Sequence, residues 1–238
     1  MHPVDRTARV AGVLFLLTFV SAIAGALLYT PLLTDPAYVS GPGADTQVLI
    51  GVVCEIVLVI ANLGTALALY PVLRRHHEGA ALAYVVARVM ECALIVVGML
   101  AVVAVVELRR AQDGADEASR SVAEALVAVH DATFLLGPGF VVGIGNGLLL
   151  GFLLYRSHLV PRPLTLLGII GGPLMSLSGI AVLFGAYEQS SVWSALATLP
   201  EIAWEASLGL YLTIRGFRRA TSAARTAVAP TVPEPADR

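Results

Sequence analysis

The chain has 238 residues, of which 57% are hydrophobic and 13% are charged, and its formal net charge is -2. Soluble globular domains carry about 25% charged residues, so this composition excludes an ordinary soluble domain and indicates a membrane protein. The nearly balanced charge also excludes a strongly basic surface, and no nucleic-acid partner is expected.

Six apolar stretches are each long enough to cross a bilayer core, which takes about 20 helical residues. No stretch between them is suited to a soluble domain. The sequence therefore predicts an all-α, polytopic six-helix bundle formed by residues 1–220. The expected transmembrane spans are residues 10–29, 48–70, 80–106, 126–155, 164–187 and 195–214.

The arginines predict the orientation of these spans, since the chain contains no lysine. Positive residues are retained on the cytoplasmic side of a membrane. If both termini are cytoplasmic, eleven arginines lie on that side, and three, Arg109, Arg110 and Arg120, lie in an outer loop. Eleven against three favours two cytoplasmic termini. Residues 221–238, which include "APTVPEPADR", are predicted to be a disordered cytoplasmic tail because they lack apolar periodicity.

Glycine and proline mark the fourth and fifth spans. Gly137-Pro138-Gly139 interrupts the fourth span, and a kink is expected there because proline removes a backbone donor. Glycines spaced by four residues lie on one side of a helix and allow a neighbouring helix to approach closely. This spacing is consistent with tight packing or with a sliding interface, and it does not separate the two. The glycines expected at helix contacts are Gly139, Gly143, Gly147, Gly151, Gly168 and Gly172.

Several ionisable residues lie inside the apolar stretches. An ionisable side chain at the bilayer centre costs about 2.5 to 3.5 kcal/mol on insertion scales, so each needs a partner within the bundle. Arg88 and Glu91 are three residues apart and face the same side of a helix, where they can pair. Within a candidate buried polar cluster, Glu55 and Glu205 are expected at a depth similar to that of Glu91, and His130 and Asp131 somewhat nearer the outer surface. The cluster comprises Glu55, Arg88, Glu91, His130, Asp131 and Glu205, with Asn62 two turns from Glu55 and Glu201 one turn from Glu205.

The charges of this candidate cluster do not balance, because Arg88 faces four carboxylates. A bound proton or cation is expected to compensate. One interpretation is a polar pocket or proton relay that binds or transports a small molecule, proton or cation, since intramembrane ionisable residues mark such pathways. The alternative is a structural or accessory protein in which the cluster is a hydrogen-bonded latch that only locks the helices together.

The sequence predicts no catalytic residues and no metal or cofactor. It contains no Ser-His-Asp set, phosphate-binding glycine loop or HExxH, and no helical pair of metal ligands at the usual spacing. His130 and Asp131 are not expected to form a dyad, because neighbours in a helix point in different directions. An intramembrane enzyme is therefore the least favoured of the three interpretations.

Four segments resemble an uncharacterised bacterial membrane protein family, domain of unknown function 4386. They are "TARVAGVLFLLTFVSAIAG", "ARVMECALIVVG", "SHLVPRPLTLLGIIGGPL" and "AWEASLGLYLTIRGFRRA", in this order. The resemblance covers most of the chain from about Arg6 to Arg219. It implies a multi-pass protein of a bacterial inner membrane with lipid as its partner, and it places Arg88, Glu91 and Glu205 in a family pattern without assigning them an activity.

Overall fold

A computed structural model describes residues 3–35, 37–41, 43–111 and 117–218. These residues form six helices and contain no strand. The tail expected at residues 221–238 lies outside the described residues. The helices are α1 (Pro3–Thr34), α2 (Asp45–Leu73), α3 (Glu78–Arg110), α4 (Glu117–Ser157), α5 (Arg162–Leu183) and α6 (Val192–Arg215).

Each expected span coincides with one helix, and five of the six helices are long and apolar enough to cross a membrane. The helix α6 is the exception, although its 24 residues are sufficient in length. Pro200, Glu201, Glu205 and Arg215 lower its mean hydropathy. The fifth span was expected to reach residue 187, but α5 ends at Leu183, ahead of a turn in which Gly185 has a φ of 72°.

The six helices form a closed ring. Each helix packs on the next one along the chain, and α6 returns to pack on α1. Large apolar side chains point outward, as shown by Val20 (65% exposed), Leu67 (68%) and Leu177 (64%). Buried polar side chains face inward instead. This distribution, apolar outside and polar inside, suits a bundle surrounded by lipid.

The two ends of the bundle differ in charge. At one end, a core cluster joins Ala8, Leu73, Leu154 and Phe217, so the beginnings of α1, α3 and α5 meet the ends of α2, α4 and α6. Arginines flank these helix termini, and we call this the Arg-rich end. The arginines described there are Arg6, Arg9, Arg74, Arg75, Arg156, Arg162, Arg215 and Arg218.

The opposite end is closed by an ion-pair network around Asp45. Arg109 binds Asp45 through two contacts of 2.7 Å, and Arg110 adds a third at 3.2 Å. Tyr38 donates to Asp45 at 2.9 Å. Burial, with this hydrogen bond, raises the pKa of Tyr38, so the phenol keeps its proton and remains a donor. The two arginines thus tie the first residue of α2 to the end of α3.

The helix α4 is not a regular α-helix throughout. Residues Leu135–Val141 and Gly143–Leu150 form wider π-helical turns, and the amide of Val142 donates to the carbonyl of Gly137, five residues earlier. Pro138 has no amide hydrogen to give to the preceding turn, and proline is a common cause of such distortion. The sequence predicts a kink here, and the structure shows a change of helix type at this position.

Candidate functional site

The first polar group joins α2 to α3. The guanidinium of Arg88 contacts Glu91 at 2.7 Å, and Asn62 donates to the other oxygen of Glu91 at 2.8 Å. A longer contact of 3.4 Å runs from Arg88 to the hydroxyl of Thr65. Arg88 is only 2% exposed and Glu91 only 5%. The carboxylate of Glu91 is therefore engaged at both oxygens in a buried, hydrogen-bonded link between two helices.

The second polar group joins α4 to α6. The side-chain amide of Asn146 donates to Glu205, and the indole of Trp204 donates to the backbone carbonyl of Asn146 at 3.1 Å. Asn146 lies in the π-helical part of α4 and is fully buried. A π-helical turn displaces backbone carbonyls from the regular pattern, which explains how a side chain of another helix can reach one of them.

Glu201 lies one turn before Glu205 on the same helix and is 2% exposed. Neither of its carboxylate oxygens has a hydrogen-bond partner among the described residues, and the side-chain oxygen of Asn146 also lacks one. Buried polar groups in proteins are nearly always hydrogen-bonded, and each exception calls for an explanation. Three unpartnered acceptor oxygens thus lie within this small region of the bundle.

Arg88 connects the two groups electrostatically, since it interacts with both Glu91 and Glu205. Glu201 interacts in turn with Glu205, Arg88 and Glu91. Together the groups hold one guanidinium and three carboxylates. We call this set the Arg88 cluster, and its members are Asn62, Thr65, Arg88, Glu91, Asn146, Glu201 and Glu205.

Glu55 lies in a separate group nearer the opposite end. Its carboxylate accepts a hydrogen bond from Tyr29 at 2.9 Å, and the ring of Tyr29 packs edge-on against His130 with centroids 5.7 Å apart. Glu55, His130 and Thr133 also line a cavity of about 10 Å³. We call Tyr29, Glu55, His130 and Thr133 the Glu55 site. The single cluster expected from the sequence is divided between two sites in the structure.

Asp131 belongs to neither group, because its side chain is 61% exposed. His130 is buried while its neighbour faces outward, as expected for adjacent residues of a helix. The two side chains nevertheless approach each other, with Nδ1 of His130 3.3 Å from Oδ1 of Asp131. This contact was not expected from the sequence. It links the buried imidazole of His130 to the exposed carboxylate of Asp131.

The glycines of α4 and α5 position the two helices at the Arg88 cluster. A Cβ at position 143 or 147 would overlap the backbone of Gly172, and one at position 168 would lie 2.7 Å from the ring of Trp204. Gly151 is also close, since its Cβ would lie 3.1 Å from the amide of Ile169. Gly139 is different, because its nearest neighbour would be 3.6 Å away. Five of the six expected glycines therefore lie at close helix contacts.

Four contributors to these sites were not anticipated. Asn146 had a sequence signal, as a lone amide among the glycines of "GIGNG". Tyr29, Thr65 and Thr133 had none, because a tyrosine near a span end and a threonine within a span are both common. The part of the chain that the structure describes holds no group of three or more His, Cys, Asp or Glu arranged for a metal ion.

Comparison with known proteins gives one match. The family model described as Domain of unknown function (DUF4386) matches residues 10–216. Neither the curated proteins nor the solved structures gave a match. The matched region includes all six helices almost completely, together with every residue of the Arg88 cluster and of the Glu55 site. The chain therefore belongs to the family defined by domain of unknown function 4386.

Proposed function

We propose that this protein is an integral membrane protein that binds protons at Glu201 and Glu205 and passes them across the membrane. In this proposal α6 is a sixth transmembrane span, both termini are cytoplasmic, and the membrane is a bacterial inner membrane. The observation that carries the proposal is the buried carboxylate of Glu201, whose two oxygens have no partner among the described residues.

The charge of the Arg88 cluster supports this function. One guanidinium can compensate one carboxylate, and Glu91 already takes that position at 2.7 Å. Glu201 and Glu205 lie beside each other without a positive charge of their own. Because an uncompensated charge is very costly in a medium of low dielectric constant, two protons or an equal cationic charge have to offset the two excess negative charges. Intramembrane carboxylates of this kind occur in proton relays.

The close packing at Glu201 favours the proton over a larger cation. A Cβ at position 147 would lie 2.5 Å from Oε2 of Glu201, so the carboxylate is in contact with the backbone of α4. A sodium ion would have to be surrounded by several oxygen ligands at this contact, whereas a proton needs no additional volume. The steric argument thus selects the smallest of the cations that the charge permits.

A latch explains the other half of the cluster better. Glu91 accepts hydrogen bonds from Arg88 on its own helix and from Asn62 on α2. Each of its two carboxylate oxygens therefore has a partner. The two interpretations of the sequence therefore apply to different residues. The α2–α3 half is proposed to be structural, while Glu201 and Glu205 on α6 are proposed to exchange protons.

The orientation rests on the arginines at the two ends. The Arg-rich end is assigned to the cytoplasm because positive residues are retained there. Arg109 and Arg110 at the opposite end are engaged by Asp45, so their presence has a structural reason. This removes two of the three exceptions to the proposed orientation.

Glu201→Gln tests the proton-binding proposal. The wild-type protein, reconstituted in lipid at neutral pH, is expected to show the infrared band of protonated carboxylic acids, and the Glu201 component of this band should be lost in the variant while the Glu205 component remains. The variant should fold normally, because Glu201 accepts no hydrogen bond that the substitution would remove. Infrared spectroscopy of both proteins between acidic and alkaline pH provides the measurement.

Glu188→Gln is the matched control, since Glu188 lies in the exposed loop before α6, and it should leave the band unchanged. A wild-type spectrum without the band would contradict the proposal. Sodium-dependent changes at Glu201 in place of the band would indicate that a metal cation occupies the position of the proton.

A further inference from the structure

The Glu55 site lies between the Arg88 cluster and the opposite end of the bundle. Glu55 is seven residues before Asn62 on α2, which corresponds to about 10 Å along the helix axis. His130 is 6% exposed, yet its Nδ1 is 3.3 Å from the exposed carboxylate of Asp131. The site therefore contacts the protein surface on one side and the interior of the bundle on the other.

The cavity at this site is partly open to the surface of the bundle, and its size and lining suit one water molecule. Its volume of about 10 Å³ is close to the lower limit for one water molecule, roughly 10 to 15 Å³. A buried water also needs two to four polar partners, and Glu55, His130 and Thr133 supply them from α2 and α4. Gly98 of α3 forms another wall, and a Cβ there would lie 3.5 Å from Cδ2 of His130. Cδ2 is bonded to Nε2, so this edge of the ring lies beside Gly98, which itself lines the cavity.

A layer of apolar side chains separates this site from the Arg88 cluster. Leu58 lies between Glu55 and Asn62 on α2, and Ile95 lies one turn after Glu91 on α3. These two residues pack together with Met99 as a buried cluster, each less than 10% exposed. Ile95 also lines the cavity. Leu58 and Ile95 thus lie between the two polar sites along α2 and α3.

We propose that the Glu55 site binds a single water molecule and relays protons between Asp131 and the interior, with Leu58 and Ile95 as the barrier before the Arg88 cluster. This proposal rests on the proposed function in one respect, because the relayed proton is taken to go on to Glu201 and Glu205. Water binding at the Glu55 site does not depend on that function. No other residue assigned above connects the interior to the opposite end.

The relay moves one proton without any other reactant. Nδ1 of neutral His130 takes a proton from the carboxylic acid form of Asp131, and Nε2 gives its own proton to the water. The water then gives a proton to the carboxylate of Glu55. Asp131 ends as a carboxylate, Glu55 ends protonated, and the imidazole ends in its other neutral tautomer.

The titratable groups that face His130 are Tyr29 of α1, Glu55 of α2 and Asp131 of α4, while α3 contributes Gly98 and Ile95.

The first test detects the water directly. In the full chain, labelled with ¹⁵N-histidine and reconstituted in lipid, solid-state NMR should show transfer of magnetisation from water to Nε2 of His130. The signal is assigned by its loss in His130→Gln, since the chain has five histidines. Absence of transfer in the wild-type protein would overturn the water site, whatever the outcome at Glu201.

The second test measures the relay. After exchange of the medium from H₂O to D₂O, His130→Gln should slow deuteration of the Glu201 carboxylic acid band by about tenfold or more, given the usual contribution of a positioned acid or base. Leu58→Ala should accelerate it by thinning the barrier. Ile60→Ala is the matched control, because Ile60 is 65% exposed on the same helix, and it should have no effect. An unchanged rate in His130→Gln would overturn the relay, whereas a missing Glu201 band together with water at His130 would overturn only the proposed function.

Discussion

Glu91→Ala is expected to destabilise the folded protein by about 3 to 5 kcal/mol, the usual cost of removing one partner from a buried ion pair. The substitution leaves Arg88, which is 2% exposed, as a buried charge without its nearest partner. It also removes the acceptor for Asn62. For a protein of this size the loss corresponds to a decrease in Tm on the order of 10 °C, which thermal unfolding in detergent would measure.

A double variant separates the cost of an unpaired charge from the value of the pair. Arg88→Met combined with Glu91→Leu removes both charges, and replacing a buried pair by apolar groups is often neutral or stabilising. The double variant should therefore recover most of the lost stability. Glu107→Gln is the control, since the carboxylate of Glu107 is 62% exposed and such surface pairs contribute little. A Glu91→Ala protein as stable as the wild type would exclude a structural role for this link.

Gly172→Ala should destabilise the protein by about 1 to 3 kcal/mol, the usual cost of overpacking a well-packed interior. The added methyl group would overlap the carbonyl oxygen of Gly143 and would lie 2.7 Å from the amide nitrogen of Leu148 and 2.9 Å from Cα of Gly147. All three are backbone atoms, so no flexible side chain can move aside. The helices α4 and α5 would have to separate, which should also disturb the contact of Glu201 with Gly147.

Gly139→Ala is the matched control for this substitution. The nearest atom to its added methyl group would be 3.6 Å away, an ordinary van der Waals contact. Alanine is also a better helix former than glycine, by about 1 kcal/mol in helix interiors. The control should therefore be neutral or slightly stabilising in the same thermal unfolding experiment. Equal losses in both variants would show that close approach at Gly172 is not what determines stability here.

Much of the fold follows from the distribution of apolar residues. Each predicted span corresponds to one helix, because about 20 consecutive apolar residues can satisfy their backbone groups in lipid only as a helix. The helix ends were harder to predict from the sequence, because helices continue beyond the apolar stretch. For example, α1 begins at Pro3, whereas the apolar stretch begins at residue 10. The interruption at Pro138 was predictable, but its π-helical form is not specified by the presence of a proline.

The site was predictable only where partners lie close in sequence. Arg88 and Glu91 are three residues apart on one helix, so their pairing follows from helix geometry. The partners of Glu55 and Glu205 are Tyr29 and Asn146, which are 26 and 59 residues away. Pairing at such separations depends on which helices are adjacent and how each is rotated. Those properties come from tertiary packing, and an apolar pattern in a single sequence does not specify them.

Proton flux into liposomes tests the central claim most directly. Liposomes that contain the full-length protein and a pH-sensitive dye are placed in a pH gradient, with a potassium ionophore to compensate the charge. The wild-type protein should acidify the lumen faster than empty liposomes, Glu201→Gln should abolish the difference, and Glu188→Gln should retain it. Wild-type liposomes that behave like empty ones, or a Glu201→Gln protein as fast as the wild type, would contradict the claim that this carboxylate carries protons across the membrane.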